Sequence, residues 1–213
     1  MKTFAINVLL SAAIIGTALL VYIVIIITKE PVIEVHEKVT IVREKQVYFE
    51  RLEINQRIQE IQSYEDYDRV INLYGNIAGD REVARLILNN SLVRKIPVNL
   101  AFALCQVEST FKPSAMNRNI KNGKTISTDY GLFQLNSQVF RTHIKKNGKD
   151  WLLMPENNIS LGLTHLQELY FRHGKSWDLA VIRYNGRFDR GADEHLVNVY
   201  EWERIFDKMF NSL

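Results

Sequence analysis

The sequence is nearly without cysteine. Its single thiol, Cys105, cannot close an internal disulfide, so the fold must be held by its core and not by bridges. A strong charge bias is also missing. The net charge is +3, the basic residues are scattered, and no basic block interleaves with aromatics, which argues against nucleic acid as a partner. The five histidines, His36, His143, His165, His173 and His195, show no metal-ligand spacing. Internal repeats and low-complexity runs are absent too. No metal and no cofactor is implied by any of this.

A long apolar run, by contrast, is present. From Phe4 to Ile27 only Asn7, Ser11 and Thr17 interrupt the hydrophobic residues, and no charge occurs. A bilayer-spanning helix needs roughly 20 such residues. The run leaves through I-I-I-T-K-E-P, with no small-x-small cleavage site, so an uncleaved anchor is expected over a cleaved signal peptide. Lys2 on one side, against Lys29 balanced by Glu30 on the other, favours a cytoplasmic amino terminus and an external remainder. Residues 1–28 are therefore read as a transmembrane anchor.

Residues 29–62 read as a linker. Pro31 blocks simple continuation of the membrane helix. Val35, Val39, Val42, Phe49 and Leu52 fall near a 3.5-residue spacing, and Ile54, Ile58 and Ile61 form a second short stripe. A helical stalk, a short coiled coil and a strand over V-T-I-V are all open, with a solvated spacer preferred. From 63 to 213 the pattern becomes that of a mostly α, α+β domain. Helices are expected over 66–76, over 80–95 with Asp80 as a cap, over 97–109 with Pro97 in the first turn, and over about 137–147, 156–172, 176–184 and 193–210. Asn122-Gly123 signals a tight hairpin, the one small β element.

The helix over 97–109 draws attention. From Val98 to Val107 it is apolar nearly all round, as a buried helix is. Its last turn carries Glu108, flanked at helical spacing by Leu104, Cys105 and Phe111, with Lys112 the one nearby cation. Burial of an unpaired carboxylate raises its pKa and makes it a usable proton donor near neutrality. Asp129 follows 21 positions later, beyond the hairpin. Two carboxylates flanking a sugar linkage are the usual equipment for glycoside cleavage. With 24 acidic residues in the chain, spacing alone is weak evidence for such a pair. Cys105, one turn before Glu108, reads as a small buried hydrophobe, and Phe111, Phe133 and Trp177 read as packing residues.

Four segments together carry a specific resemblance: E-S-T-F-K-P-S-A from Glu108, S-T-D-Y-G-L-F-Q-L-N-S from Ser127, N-N-I-S-L-G from Asn157, and A-V-I-R-Y-N-G ending at Gly186. In this order they resemble the catalytic domain of the lysozyme-like lytic transglycosylases, the soluble-lytic-transglycosylase family, over about residues 96–210. The resemblance implies a lysozyme-like domain that cleaves peptidoglycan between N-acetylmuramic acid and N-acetylglucosamine, leaving a 1,6-anhydromuramoyl end. By position it implies Glu108 as the catalytic acid and base, Ser109, Gln134 and Asn136 as sugar-binding residues, and Tyr184 and Asn185 as the pair that closes the site near the glutamate. Tyr200 is a further candidate from the last helix, slightly out of register. Asp129 sits where chicken-type lysozymes, which resemble the central segment, carry a second carboxylate. That keeps a muramidase using Glu108, Asp129 and water open. The resemblance is to small specialised members working beside envelope-spanning machines. It implies a single-pass protein of the bacterial inner membrane, its domain in the periplasm or cell wall, with a secretion, conjugation or flagellar assembly as partner class. A non-catalytic glycan-binding scaffold of such an assembly is the alternative from another class.

Overall fold

A computed structural model describes residues 51–60, 64–186 and 190–213. The expected anchor over 4–27 and most of the expected linker lie outside those residues. Among the described residues no helix is long and apolar enough to cross a membrane.

Residues 51–59 are helical (α1). There follow α2 (Tyr64–Ala78), α3 (Arg81–Arg94) and α4 (Val98–Ser109), a three-stranded sheet of β1 (Met116–Lys121), β2 (Lys124–Tyr130) and β3 (Leu135–Asn136), and then α5 (Arg141–Asn147). After one 3-10 turn, Asp150–Leu153, the chain closes with α6 (Pro155–Arg172), α7 (Trp177–Tyr184) and α8 (Arg190–Asn211). The architecture is mostly helical with one small antiparallel sheet and fits a lysozyme-like α+β domain.

α4 is the axis of the core. Every side chain from Val98 to Cys105 is buried, as its all-round apolar sequence requires. The one polar member, Asn99, is satisfied on both ends: it accepts from the Tyr74 hydroxyl at 2.6 Å and donates to Asp207 at 2.7 Å. α8 and α3 pack against α4, while α6 packs against α3 and α7. Asp80 caps α3 through the Glu82 and Val83 N–H groups. Pro97 stands one place ahead of α4 as its N-cap and not inside the first turn. The helix is ended before Pro113 is reached, because Thr110 and Phe111 both take left-handed backbone angles, φ 51° and 55°.

α1 belongs to the same compact unit, which runs from 51 to 213. Ile54 and Ile58 are buried in the core. Asn55 bridges the entry to α4, donating to the Ile96 carbonyl at 3.1 Å and accepting from the Val98 N–H at 3.0 Å. Arg51 makes a bidentate pair with Glu203 of α8, at 2.8 and 2.7 Å. The last part of the expected linker is thus packed as part of the domain.

The sheet runs in the order β1-β2-β3, all antiparallel, with Asn122 and Gly123 at positive φ in the two-residue turn. A register shift lies between Asn119 and Ile120. Its outer part is exposed. Its inner end leads into the turn Gly131–Gln134, which three helices clamp. Asn158 of α6, fully buried, accepts from the Phe133 N–H at 2.7 Å and donates to the Tyr130 and Leu152 carbonyls at 2.8 and 2.7 Å. The Tyr184 hydroxyl of α7 donates to the Phe133 carbonyl at 2.8 Å, and the Cys105 thiol of α4 points to the Leu132 carbonyl at 3.6 Å. Two glycines make this possible. A Cβ at Gly131, itself at φ 73°, would meet the Asn158 amide at 2.3 Å, and a Cβ at Gly162 would meet Phe133 at 2.5 Å. The G-L-F-Q and N-I-S-L-G segments are therefore two halves of one packing joint, which sets the end of β2 against the end of α4.

Candidate active site

Four elements bring one titratable side chain each to the end of α4. Glu108 comes from α4 itself, Asp129 from β2, Tyr184 from α7 and His195 from α8. The Glu108 side chain is 16% exposed and that of His195 11%, and His195 Nε2 lies 3.5 Å from Glu108 Oε1. Burial, with the negative charge of Asp129 adding to it, pushes the Glu108 carboxyl up to about 8. It is therefore protonated at neutral pH while still reachable from solvent. That combination is what a general acid requires.

Asp129 is held differently. Its Oδ1 accepts from the Asn136 amide at 2.7 Å and its Oδ2 from the Asn119 amide at 2.8 Å. Both amides also reach the Ser127 hydroxyl, at 3.1 and 2.9 Å. All three strands thus contribute to fixing this carboxylate. One carboxyl is buried and kept neutral, while the other is set in a polar network and acts on the first as a negative charge. An arrangement of this kind can separate acid from stabiliser in glycoside cleavage.

Of the remaining expected residues, Asn136 bonds to Asp129 and Tyr184 feels the charge of both carboxyls, while Ser109, Gln134 and Asn185 hydrogen-bond to nearby backbone. Ser109 is buried and its hydroxyl donates back to the Cys105 carbonyl at 3.3 Å. Gln134, at φ 42°, turns its amide nitrogen to the Gly131 and Ala115 carbonyls, at 2.8 and 3.3 Å. The Asn136 carbonyl oxygen accepts from the Gln138 N–H at 2.9 Å. The Tyr184 hydroxyl is held well above its usual range by burial and then by Glu108, Cys105 and Asp129. Its proton goes to the Phe133 carbonyl. Asn185 caps the end of α7 and is half-buried. Burial likewise pushes the Cys105 thiol up, which keeps it inert as a nucleophile. Tyr200 is engaged elsewhere, donating to Asp178 and lying under Arg51. Among the described residues no group of three His, Cys, Asp or Glu side chains could hold a metal ion.

Two members of the site escape sequence reasoning. Asn119 sits in an exposed polar hairpin and shows its role only through the strand register. His195 has no local motif. The signal for it was the register of α8: Val199, four residues on, is fully buried, so His195 lies on the inward face.

Residues 85–194, just over half of the chain, match the family model of the transglycosylase SLT domain. No curated protein matches the chain.

Proposed function

The chain belongs to the transglycosylase SLT family, lytic transglycosylases of the lysozyme-like superfamily that act on peptidoglycan, and from that premise we propose that Glu108 alone carries its acid and base chemistry. The supporting observation is the carboxyl at the end of α4, raised to about 8 by burial and by Asp129. In the first step the Glu108 proton passes to the oxygen joining N-acetylmuramic acid to N-acetylglucosamine. The C1–O bond breaks, its electron pair stays with the leaving oxygen, and positive charge develops at C1. The substrate's own acetamido oxygen steadies that charge, with the Asp129 carboxylate adding to the field. In the second step Glu108, now a carboxylate, takes the proton of the muramoyl 6-hydroxyl as its oxygen closes on C1. The 1,6-anhydro ring forms, Glu108 regains its proton, and no water is consumed.

Ser109, Gln134, Asn136, Tyr184 and Asn185 are the proposed sugar-facing frame. Their side chains are mostly tied to backbone, which makes them rigid edges against which a glycan is oriented. The Phe4–Ile27 run supports a single-pass anchor in the inner membrane that holds the domain in the periplasm or cell wall. A secretion, conjugation or flagellar assembly is the proposed partner class.

The anchoring of Asp129 by Asn119 and Asn136 favours one second reading, a muramidase in which water replaces the 6-hydroxyl. Digestion of purified sacculi followed by mass spectrometry of the soluble muropeptides separates the two. Anhydromuramoyl ends, one water lighter than reducing ends, are the expected product. Reducing ends would make the protein a hydrolase, and intact sacculi would favour a glycan-binding scaffold.

A further inference from the structure

We propose that His195 of α8 is a positioning residue for Glu108, its imidazole N–H closing on Glu108 Oε1 when the carboxyl gives up its proton. This rests on the reading of Glu108 as the acid and base, and the two fail in different ways.

The geometry carries it. Nε2 and Oε1 stand 3.5 Å apart. That is longer than a formed N–H···O bond of about 2.7–3.2 Å, and contacts of this kind in an unliganded site tighten as charge develops. Both side chains are almost enclosed, so the contact is little screened by water. The imidazole also has little freedom to leave. α8 is pegged on the same side by Val199, Phe206 and Phe210, all buried, and by the Arg51–Glu203 pair, and on another face by Tyr200, which donates to Asp178 of α7. His195 is therefore delivered to Glu108 by a helix whose rotation and height are fixed one to four turns downstream. The family match ends at residue 194, one position short of it.

Among the described residues, the groups that act on Glu108 oppose its ionisation or are neutral, and Lys112, the cation nearest in sequence, is exposed. Asp129 of β2 is a like charge, while Tyr184 of α7 and Cys105 of α4 are themselves held protonated. On α8, Asp193 and Glu194 are exposed. Among the described residues His195 is thus the group placed to favour the carboxylate form needed between the two proton transfers. It keeps its own proton throughout: the imidazole donates a hydrogen bond, and the carboxylate accepts it.

The test uses the full chain with His195→Ala and His195→Gln, assayed on sacculi across pH. Loss of a hydrogen bond to a charged group predicts a kcat about ten- to a hundredfold lower in His195→Ala with little change in KM. The alkaline limb of its pH–rate profile moves to higher pH, since the carboxylate has lost a donor. His195→Gln places an amide N–H near the same oxygen and recovers most of the rate. An unchanged kcat and limb in His195→Ala, or a Gln variant no better than Ala, overturns the proposal. Independently of activity, the His195 imidazole signals followed by NMR titrate in two steps in the parent and in one step in Glu108→Gln. Identical curves would also overturn it. Should Glu108→Gln retain full activity, the reading of Glu108 fails, and the two-step titration still decides the contact.

Discussion

Glu108→Gln abolishes glycan cleavage and at the same time makes the folded protein more stable at neutral pH. The first effect follows from removing the only proton donor in the proposed mechanism. General acid and base catalysis contributes typically 10²–10⁴-fold, and here one group serves both steps, so a loss of about 10³-fold or more is expected. The second follows from linkage. The Glu108 carboxyl has an ordinary value of 4.5 and is raised to about 8 by burial and then by Asp129. Between those two values the folded protein keeps a proton that the unfolded chain releases. Stability therefore falls as pH rises from 4.5 towards 8 and levels beyond it. At 1.36 kcal/mol per pH unit the penalty at pH 7 is about 3 kcal/mol. A glutamine has the same shape and no charge to form, so it escapes the penalty. Urea denaturation of parent and variant at several pH values checks this. The curves coincide below about pH 4 and separate towards neutrality, with the inactive variant the more stable. A variant less stable than the parent at pH 7 would mean that the carboxyl is ionised and paired in the fold.

Arg51→Ala destabilises the domain by about 3–5 kcal/mol, measured by the same denaturation. Glu203 is only 4% exposed, and both its oxygens are held by the Arg51 guanidinium. Burial on its own lowers the Arg51 pKa; Glu203 more than offsets that and holds it above its usual value. Removing the guanidinium strands a buried carboxylate. It also removes a cation set 5.0 Å from the centre of the Tyr200 ring. Replacing both partners together, Arg51→Met with Glu203→Leu, leaves no orphaned charge and costs much less. A loss of less than about 1 kcal/mol in Arg51→Ala, the range of an exposed ion pair, would show that α1 is not a working part of the core. Because α8 also carries His195, the single variant is expected to lose activity in the surviving folded fraction, while the double variant retains more of it.

The contrast between α4 and α1 shows what was legible in the sequence. α4 announces itself because an all-round apolar stretch has only one stable fate, and the carboxylate that ends it is conspicuous for the same reason. The Asn122-Gly123 turn and the Asp80 cap are equally local, each needing only its own few residues. α1 docks through Arg51 and Asn55 as well as Ile54 and Ile58. Arginine and asparagine read as solvent-facing until their partners, Glu203 more than 150 positions away and the entry to α4, are brought to them. The same holds at the site. Glu108 and Asp129 are visible as residue types in a motif, whereas the amides that fix Asp129 and the imidazole at Glu108 depend on a strand register and a helix rotation. The G-L-F-Q and N-I-S-L-G segments were readable as a pattern before they were readable as physics. Their glycines and Asn158 form the joint that sets the strand end against the helix end.

The most direct measurement is the titration of the Glu108 carboxyl itself, by carbon NMR of protein labelled at glutamate, with Glu108→Gln to assign the signal. A midpoint near 8 is the result the account predicts, leaving the acid loaded at the pH where a wall enzyme works. A midpoint near the ordinary 4.5 would contradict it, because the end of α4 would then hold an ionised carboxylate with no proton to give.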